Sequence, residues 1–188
     1  MNPIPFRSHL IRLTPTLDTA VERATAVIRG AADEFGDSLV IVTSLQREGI
    51  AIVDLALKTL GSIRVLTLDT GRLPQATLQL MDQMEARYGI TIERIRPDAA
   101  EVSAMVDTHG PDLFYDAVPQ RNLCCNIRKV RPLAKALRDT AAYFTGLRRE
   151  QSESRRAVDI FDRSANPVKI SPLADWTASE VLDYTHRN

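Results

Sequence analysis

The clearest indication of the fold is the segment Leu39-Val-Ile-Val-Thr-Ser-Leu-Gln-Arg-Glu-Gly49 with the helical pattern that follows it, Ile50-Ala-Ile-Val-Asp-Leu-Ala-Leu-Lys-Thr-Leu60. A continuous aliphatic run such as residues 39–42 is typical of a strand that is buried on both faces. The polar turn of residues 43–49 leads directly into the helix, which Gly61 ends as a C-cap glycine. Together they predict one strand–turn–helix unit of a parallel α/β sheet.

The same alternation continues on both sides of this unit. Strands are predicted at residues 63–68, 90–95, 141–145 and 168–170, and helices at 17–35, 74–88, 99–108 and 121–138. A capping box, Thr177-Ala-Ser-Glu180, starts a last helix, and we expect Pro132 to break or restart the helix that contains it. Strands that alternate with helices indicate an α/β fold with a mostly parallel, twisted sheet and helices on both faces.

Length and composition exclude several classes of protein. The chain has 188 residues, of which 44% are hydrophobic and 26% charged, as in an ordinary globular domain. No apolar stretch approaches the about 20 residues of a membrane helix. The first residues lack a basic start followed by an apolar segment, so a secretory signal is not expected. Two cysteines are too few for a disulfide framework, and we therefore expect a cytoplasmic protein.

Positive charge is concentrated in one part of the chain. The net charge is zero, yet residues 121–156 carry ten Lys or Arg and only three acidic residues. A local excess of this kind suggests an anionic ligand rather than a general affinity for nucleic acid. A solvated basic helix face is the alternative interpretation.

Polar turns follow three of the predicted strands, at residues 43–49, 69–72 and 146–152. Ligands of parallel α/β sheets bind at the carboxyl ends of the strands, so we expect these turns to form the site. The first turn leads into a helix N-terminus, where free N–H groups favour an anion. It lacks the glycines and the Lys-Ser/Thr pair of a Walker loop, and an ordinary βα turn is the alternative.

The other two turns carry groups that suit an anion. In Asp69-Thr-Gly-Arg72 the glycine would allow a close backbone approach and the arginine could hold an anion; a locally capped turn is the alternative. In Gly146-Leu-Arg-Arg-Glu-Gln-Ser152 two adjacent arginines suit phosphate or sulfate recognition. Here the alternative is a surface ion pair with a neighbouring glutamate.

The two cysteines of the chain are adjacent, at Cys124 and Cys125. Arg128 and Lys129 follow within one helical turn, where positive charge favours the thiolate form. Thiolates beside cations suit an iron–sulfur cluster or a redox thiol. Two buried structural cysteines are the alternative, although the basic neighbourhood argues against it. We assign no role to the histidines, which lie far apart in sequence at His9, His109 and His186.

Four motifs in order resemble a known family. They are Asp37-Ser-Leu-Val-Ile-Val-Thr-Ser-Leu-Gln46, Leu68-Asp-Thr-Gly-Arg72, Cys124-Cys-Asn-Ile-Arg-Lys-Val-Arg-Pro-Leu133 and Thr145-Gly-Leu-Arg-Arg-Glu-Gln-Ser152. They look like the assimilatory adenylyl-sulfate reductases of the phosphoadenylyl-sulfate reductase family, from about residue 35 onward. The resemblance implies the adenine-nucleotide α-hydrolase-like (PP-loop) fold. It implies an N-terminal helical segment at residues 1–36 and a sulfonucleotide-binding reductase domain at residues 37–188.

The resemblance also implies which residues form the site. The Ser44 turn would cradle the phosphosulfate, residues 68–72 would line the adenosine site, and the turn from Gly146 would continue the pocket. Lys129 would support the phosphosulfate electrostatically and reach toward a cluster. The implied substrate-binding residues are Thr43, Ser44, Gln46, Leu68, Asp69, Thr70, Gly71, Arg72, Arg128, Lys129, Gly146, Arg148 and Gln151.

The cysteine pair implies a cofactor. Family members that reduce adenylyl sulfate carry such a pair and a later Cys-x-x-Cys, which together ligate a [4Fe–4S] cluster. Cluster-free relatives that use the 3′-phosphorylated substrate lack all four. Cys124 and Cys125 would then be two of the four ligands. The second pair and the family's catalytic cysteine do not occur in the 188 residues, so we expect a fragment or a truncated gene product that is inactive alone.

The implied activity is the thiol-dependent reduction of adenylyl sulfate to sulfite and AMP in sulfate assimilation, with thioredoxin or a similar thiol donor as partner. One alternative is an ATP-cleaving sulfur-transfer enzyme of the same superfamily. The other, if the chain truly ends at Asn188, is a non-catalytic nucleotide-binding module. No nucleic-acid or membrane partner is expected, and a homo-oligomer is compatible with the sequence.

Overall fold

The first strand lies at the centre of the sheet because both of its faces are apolar. The computed structural model describes residues 17–188. In it, β1 (Leu39–Thr43) pairs in parallel with β2 (Arg64–Leu68) on one side and with β4 (Ala142–Phe144) on the other. Successive side chains of β1 enter different hydrophobic clusters, Leu39 on one face and Val40 on the other. The predicted strand, buried on both faces, is confirmed.

Three further strands, β3 (Ile92–Ile95), β5 (Phe161–Asp162) and β6 (Val168–Ile170), complete a six-stranded sheet of order β3-β2-β1-β4-β6-β5. β3 and β6 continue the parallel pairing, so all five predicted strands are found. Edge strand β5 pairs antiparallel with β6. The sequence did not predict it, because two residues are too short to show a period. The strand order reverses at β1, and ligands of such sheets bind beside that switch point.

Helices cover both faces of the sheet, as predicted. Four of them pack into the main core on one face: α1 (Leu17–Phe35), α2 (Arg47–Leu60), α3 (Gln75–Tyr88) and α7 (Ala178–Arg187). On the other face α6 (Arg131–Ala136) contributes Leu133 beside the buried pair Val40 and Leu66. The capping box is present, since Thr177 and Glu180 exchange side-chain bonds to backbone N–H groups at the start of α7.

The N-terminal helix shares its core with the sheet. Ala20, Ala24, Ile28 and Ala31 form one apolar stripe of α1 and are all buried in the main core. The predicted boundary after residue 36 stays a prediction, and residues 1–16 of that segment lie outside the described residues. Within residues 17–188, no helix combines the length and the apolar character that crossing a bilayer requires.

The helix that carries the cysteines contains a widened turn. α4 (Ala99–His109) precedes α5 (Val118–Cys125), and a π-helical turn at Asn126–Val130 joins α5 to α6 without a break. Pro132 lies in the first turn of α6, so the α-helix restarts there as expected, and the π-helical turn lies on the N-terminal side of the proline. Proline cannot donate to the carbonyl four residues earlier and its ring crowds that carbonyl, so the wider turn removes the conflict.

Candidate functional site

A cleft of about 320 Å³ opens where β1, β2 and β4 end. All three polar turns contribute to it, as the sequence predicted. The predicted residues that line it are Thr43, Ser44, Gln46, Leu68, Thr70, Lys129, Gly146 and Gln151. Cavities of about 450 Å³ and 850 Å³ lie elsewhere, one against α3 and α7 and one against the amino ends of β1 and β2. The cleft at the carboxyl ends is where the candidate polar groups converge.

The turn after β1 is held by its own side chains. Thr43 Oγ1 accepts a hydrogen bond of 2.9 Å from the Leu45 N–H, and Leu45 has a positive φ of 58°. Left-handed backbone in a residue other than glycine costs on the order of 1–3 kcal/mol and is concentrated at functional sites. α2 begins at Arg47, earlier than the helical pattern indicated, so Glu48 lies in its first turn. The turn is therefore short, and the helix N-terminus faces the end of β1.

Two glycines allow the turns to approach one another. A Cβ added at Gly49 would lie 2.1 Å from Thr43 Oγ1, and one at Gly146 would lie 2.8 Å from Glu48 Cβ. Neither distance is compatible with a real side chain. The first turn of α2 thus packs directly on the end of β1, and the turn after β4 packs on α2. Gly49 and Glu48 line the cleft although the sequence did not single them out.

Arg148 does not line the cleft, because its guanidinium is used inside the protein. Its Nε and Nη2 lie 3.0 and 2.9 Å from Glu48 Oε1, and its Nη1 donates to the Trp176 carbonyl at 3.2 Å. The Arg148 side chain is 8% exposed and that of Glu48 16%. The guanidinium of the neighbouring Arg149 also binds within the protein, since it donates to Asp175 and to the Val158 carbonyl. These arginines therefore hold the loop after β4.

Glu48 is the acidic centre of this loop. The Gln151 side chain adds a hydrogen bond of 3.0 Å to Glu48 Oε1 and a second to the Gly146 carbonyl at 3.2 Å. Burial raises the pKa of Glu48, but hydrogen bonds from its own backbone N–H, from Gln151 and from Arg148 outweigh it and hold the pKa below the ordinary glutamate value. Glu48 is therefore ionised at neutral pH and balances the charge of Arg148.

The turn after β2 is organised by local and distant partners. Asp69 Oδ1 accepts from the Gly71 N–H at 3.1 Å, and its Oδ2 pairs with Arg96 at 2.9 Å. Burial raises the pKa of Asp69, yet the Gly71 N–H and Arg96 together lower it overall. Arg72 binds the Pro111 carbonyl and Asp112, both at 2.7 Å, so it points away from the cleft. Asp69, Gly71 and Arg72 support the turn without lining the cleft.

Two cations lie at the cleft itself. Lys129 is exposed, and within residues 17–188 no hydrogen bond or ion pair engages its ammonium group. Arg155, which the sequence reasoning did not name as a site residue, also lines the cleft and donates to Gln151. The signal that could have found Arg155 is its position in the basic segment of residues 121–156. The cleft therefore offers positive charge to a ligand through both Lys129 and Arg155, and Lys129 is the one whose donors are left unengaged by the described residues 17–188.

The cysteines lie on neighbouring helical positions with different surroundings. Both are free thiols. Cys124 is 7% exposed and packs with Met105, Leu113 and Ile127, whereas Cys125 is half-buried. The polar surroundings expected for both cysteines are thus not found at Cys124, since adjacent helical side chains point about 100° apart. In the described part of the chain, no cluster of three or more His, Cys, Asp or Glu could hold a metal ion.

Comparisons with known proteins agree with this architecture. Residues 38–188 match the family described as the phosphoadenosine phosphosulfate reductase domain. The chain is 41% identical over 170 residues to adenosine 5′-phosphosulfate reductase of Allochromatium vinosum, covering 89% of this chain and 66% of the relative. It is 38% identical over 174 residues to the enzyme of the same name in Burkholderia cepacia, covering 92% and 69%. The chain thus spans about two thirds of the length of these relatives.

A solved structure has a similar fold. The chain superimposes on phosphoadenylyl-sulfate reductase from Candida auris, in a phosphate complex, with a TM-score of 0.72 and 24% identity. The match covers 92% of this chain and 85% of that one. This likeness confirms the predicted fold class, a mostly parallel sheet between two layers of helices.

Proposed function

Since the chain belongs to the phosphoadenosine phosphosulfate reductase domain family, we propose that its cleft binds adenylyl sulfate and that the chain acts in the thiol-dependent reduction of this nucleotide to sulfite and AMP. The observation that carries the proposal is the cleft at the switch point of the sheet, with the ammonium of Lys129 at its wall and no partner for that ammonium among residues 17–188. A buried or half-buried anion needs such a cation beside it.

The proposed reaction has a thiolate displacement followed by a thiol-exchange step, and its first thiolate is supplied by a cysteine that is not among the 188 residues. A thiolate forms a bond to the sulfur of adenylyl sulfate, the bond from that sulfur to the AMP phosphate oxygen breaks, and AMP leaves with the electron pair. A second thiolate then attacks the sulfur of the first, the bond between that sulfur and the sulfonate group breaks, and a disulfide forms as sulfite leaves with the electron pair. Thioredoxin or a similar thiol donor would supply the two electrons. In this scheme the residues of the cleft bind and orient the nucleotide, and Lys129 stabilises the charge on its phosphosulfate.

Calorimetric binding tests the proposal. Adenylyl sulfate and AMP are expected to bind the chain, and the 3′-phosphorylated nucleotide more weakly, because the cysteine pair is the feature that resembles adenylyl-sulfate reductases. Equal or reversed preference would contradict the substrate assignment. A chain that bound only Mg-ATP and released pyrophosphate would instead be an ATP-cleaving sulfur-transfer enzyme.

The charge of Lys129 gives a prediction with a matched control. Lys129→Ala should weaken the binding of adenylyl sulfate more than tenfold, since a lost charge-assisted hydrogen bond to an anion costs roughly 1.5–3 kcal/mol. Lys135 is exposed on α6, belongs to the same basic segment and does not line the cleft. Lys135→Ala should therefore bind like the unmodified chain in the same calorimeter. Indistinguishable affinities for the two variants would show that Lys129 does not contact the anion.

We also propose Cys124 and Cys125 as two of the four ligands of a [4Fe–4S] cluster. They are adjacent free thiols at the end of α5, followed by Arg128 and Lys129. A cluster of this type takes four thiolates, so these residues fit half of the ligand set. When bound, the group supplies a sulfur-ligated, redox-capable iron centre. The chain's own contribution is to hold the two sulfurs on one helix.

Iron retention tests the cofactor proposal. In a protein that supplies all four cysteines, Cys124→Ser and Cys125→Ser should each retain less than about one tenth of the iron of the unsubstituted protein after anaerobic reconstitution with iron and sulfide and desalting, because a hydroxyl replaces soft thiolate poorly. The 188-residue chain, with two thiols, should hold at most labile, substoichiometric iron. His109→Gln serves as the control and should retain iron normally. If both serine variants keep their iron, the cysteines are structural and the cofactor proposal is wrong.

A further inference from the structure

Arg128 is a buried cation to which the described part of the chain offers no carboxylate partner. Its residue is 8% exposed, and within residues 17–188 no salt bridge includes it. Its Nη1 donates a hydrogen bond of 2.8 Å to the Thr70 carbonyl, while its Nε is buried with no hydrogen-bond partner. Burial of an arginine is costly unless its donors are used. The hydrogen bond to the Thr70 carbonyl is therefore the contact that positions the Arg128 guanidinium.

The bond joins the helix of the cysteines to the wall of the cleft. Thr70 is 7% exposed and lines the cleft, and its Oγ1 accepts from the Arg72 N–H at 3.3 Å. Next to it Gly71 has a φ of 71°, and a Cβ added there would lie 3.5 Å from Arg128 Nη1. The guanidinium thus lies directly under the turn after β2. The other bonds of the turn, from Asp69 and Arg72, are made on its exposed side.

Arg128 and Lys129 are consecutive residues of the π-helical turn, and their side chains point in different directions, as neighbouring helical side chains do. The Arg131 N–H donates to the Asn126 carbonyl, five residues earlier, so Asn126–Val130 contains one residue more than an α-helical turn. Arg128 lies buried behind the Thr70 turn, while Lys129 is exposed and lines the cleft in front of it. Arg128 can therefore support the turn after β2, whereas Lys129 can contact a ligand in the cleft.

We propose that Arg128 is a positioning residue: it does not bind the anion of the nucleotide but fixes the turn after β2, through its hydrogen bond to the Thr70 carbonyl, in the conformation that receives the uncharged part of the nucleotide. The proposal rests on the proposed function, because it takes the cleft to be a nucleotide site. It replaces the direct substrate contact that the resemblance implied for Arg128 with an indirect one.

Comparing an uncharged ligand, adenosine, with a charged one, AMP, distinguishes the positioning role of Arg128 from the anion contact of Lys129. Arg128→Met should weaken the binding of adenosine and of AMP by the same factor, about tenfold, because both ligands need the ordered turn. Lys129→Met should weaken AMP more than adenosine, because only AMP carries the anion. Arg128→Lys retains a donor and should recover part of the affinity. Arg138 is exposed, and no hydrogen bond or ion pair engages its side chain within residues 17–188, so Arg138→Gln is the control and should leave both affinities unchanged.

Amide hydrogen exchange provides a readout that does not need the nucleotide. In the ligand-free protein, Arg128→Met should speed exchange at residues 69–73, with the amides of β1 unaffected. Loss of AMP affinity with adenosine affinity unchanged would overturn the proposal, because Arg128 would then be an anion contact. Unchanged affinity and exchange would overturn it as well. If the unmodified chain binds neither AMP nor adenosine, the proposed function fails, while the exchange experiment still decides whether Arg128 orders the turn.

Discussion

Arg148→Ala is expected to lower the free energy of unfolding by about 3–5 kcal/mol, the cost of breaking a buried ion pair by removing one partner. The substitution leaves the Glu48 carboxylate, 16% exposed, without the two guanidinium contacts at 2.9 and 3.0 Å. It also removes the bond to the Trp176 carbonyl that ties the loop after β4 to the chain before α7. Urea denaturation of the two proteins measures the difference.

A surface arginine of the same basic segment is the control. Arg156 pairs with Glu153, but their side chains are 74% and 78% exposed, so Arg156→Ala should lower the free energy of unfolding by only about 0–1 kcal/mol.

The loss of stability caused by Arg148→Ala should also depend on pH. The pKa of Glu48 is lowered in the folded protein, so its contribution is complete above its unfolded-state pKa and is lost as the pH falls through the folded value. Equal stabilities of the two variants at neutral pH would contradict the assignment of Arg148 as the centre of the loop.

Gly49→Ala should destabilise the protein by about 1–3 kcal/mol or more, the usual cost of adding volume to a packed region. The new Cβ would lie 2.1 Å from Thr43 Oγ1. Thr43 cannot easily rotate away, because it is 4% exposed and its Oγ1 accepts the Leu45 N–H at 2.9 Å. The end of β1 and the start of α2 must therefore move apart, which widens the cleft and should also weaken the proposed nucleotide binding.

The matched control for this substitution is a glycine whose replacement by alanine should increase the stability of the protein. Gly30 lies on the exposed side of α1, and nothing is within 4 Å of a Cβ added there. Gly30→Ala should therefore stabilise the protein by about 0.5–1 kcal/mol, since alanine favours a helix interior over glycine. Thermal denaturation should move the two melting temperatures in opposite directions. A Gly49→Ala variant as stable as the unmodified chain would mean that α2 does not pack on Thr43 as described.

The structural features that depend on residues close together in the sequence could be predicted from the sequence. The aliphatic run 39–42, the C-cap at Gly61 and the capping box at Thr177 each act over one strand or one helical turn, and the structure contains all three. The convergence of the three polar turns follows as well, because parallel strands present their carboxyl ends at the same edge. Local periodicity and parallel connectivity are thus enough to locate the cleft.

Which charges remain available in that cleft depends on contacts between distant residues. Arg148 and Lys129 are both cations of one basic segment, yet Arg148 is neutralised by Glu48, which is 100 residues away in the chain. Lys129 has no such partner within residues 17–188. The same is true of burial: Cys124 and Cys125 are adjacent, but packing against α4 buries only the first. No local pattern encodes these pairings, because an ion pair or a buried contact is formed by whichever side chains the completed fold brings within a few ångströms of each other.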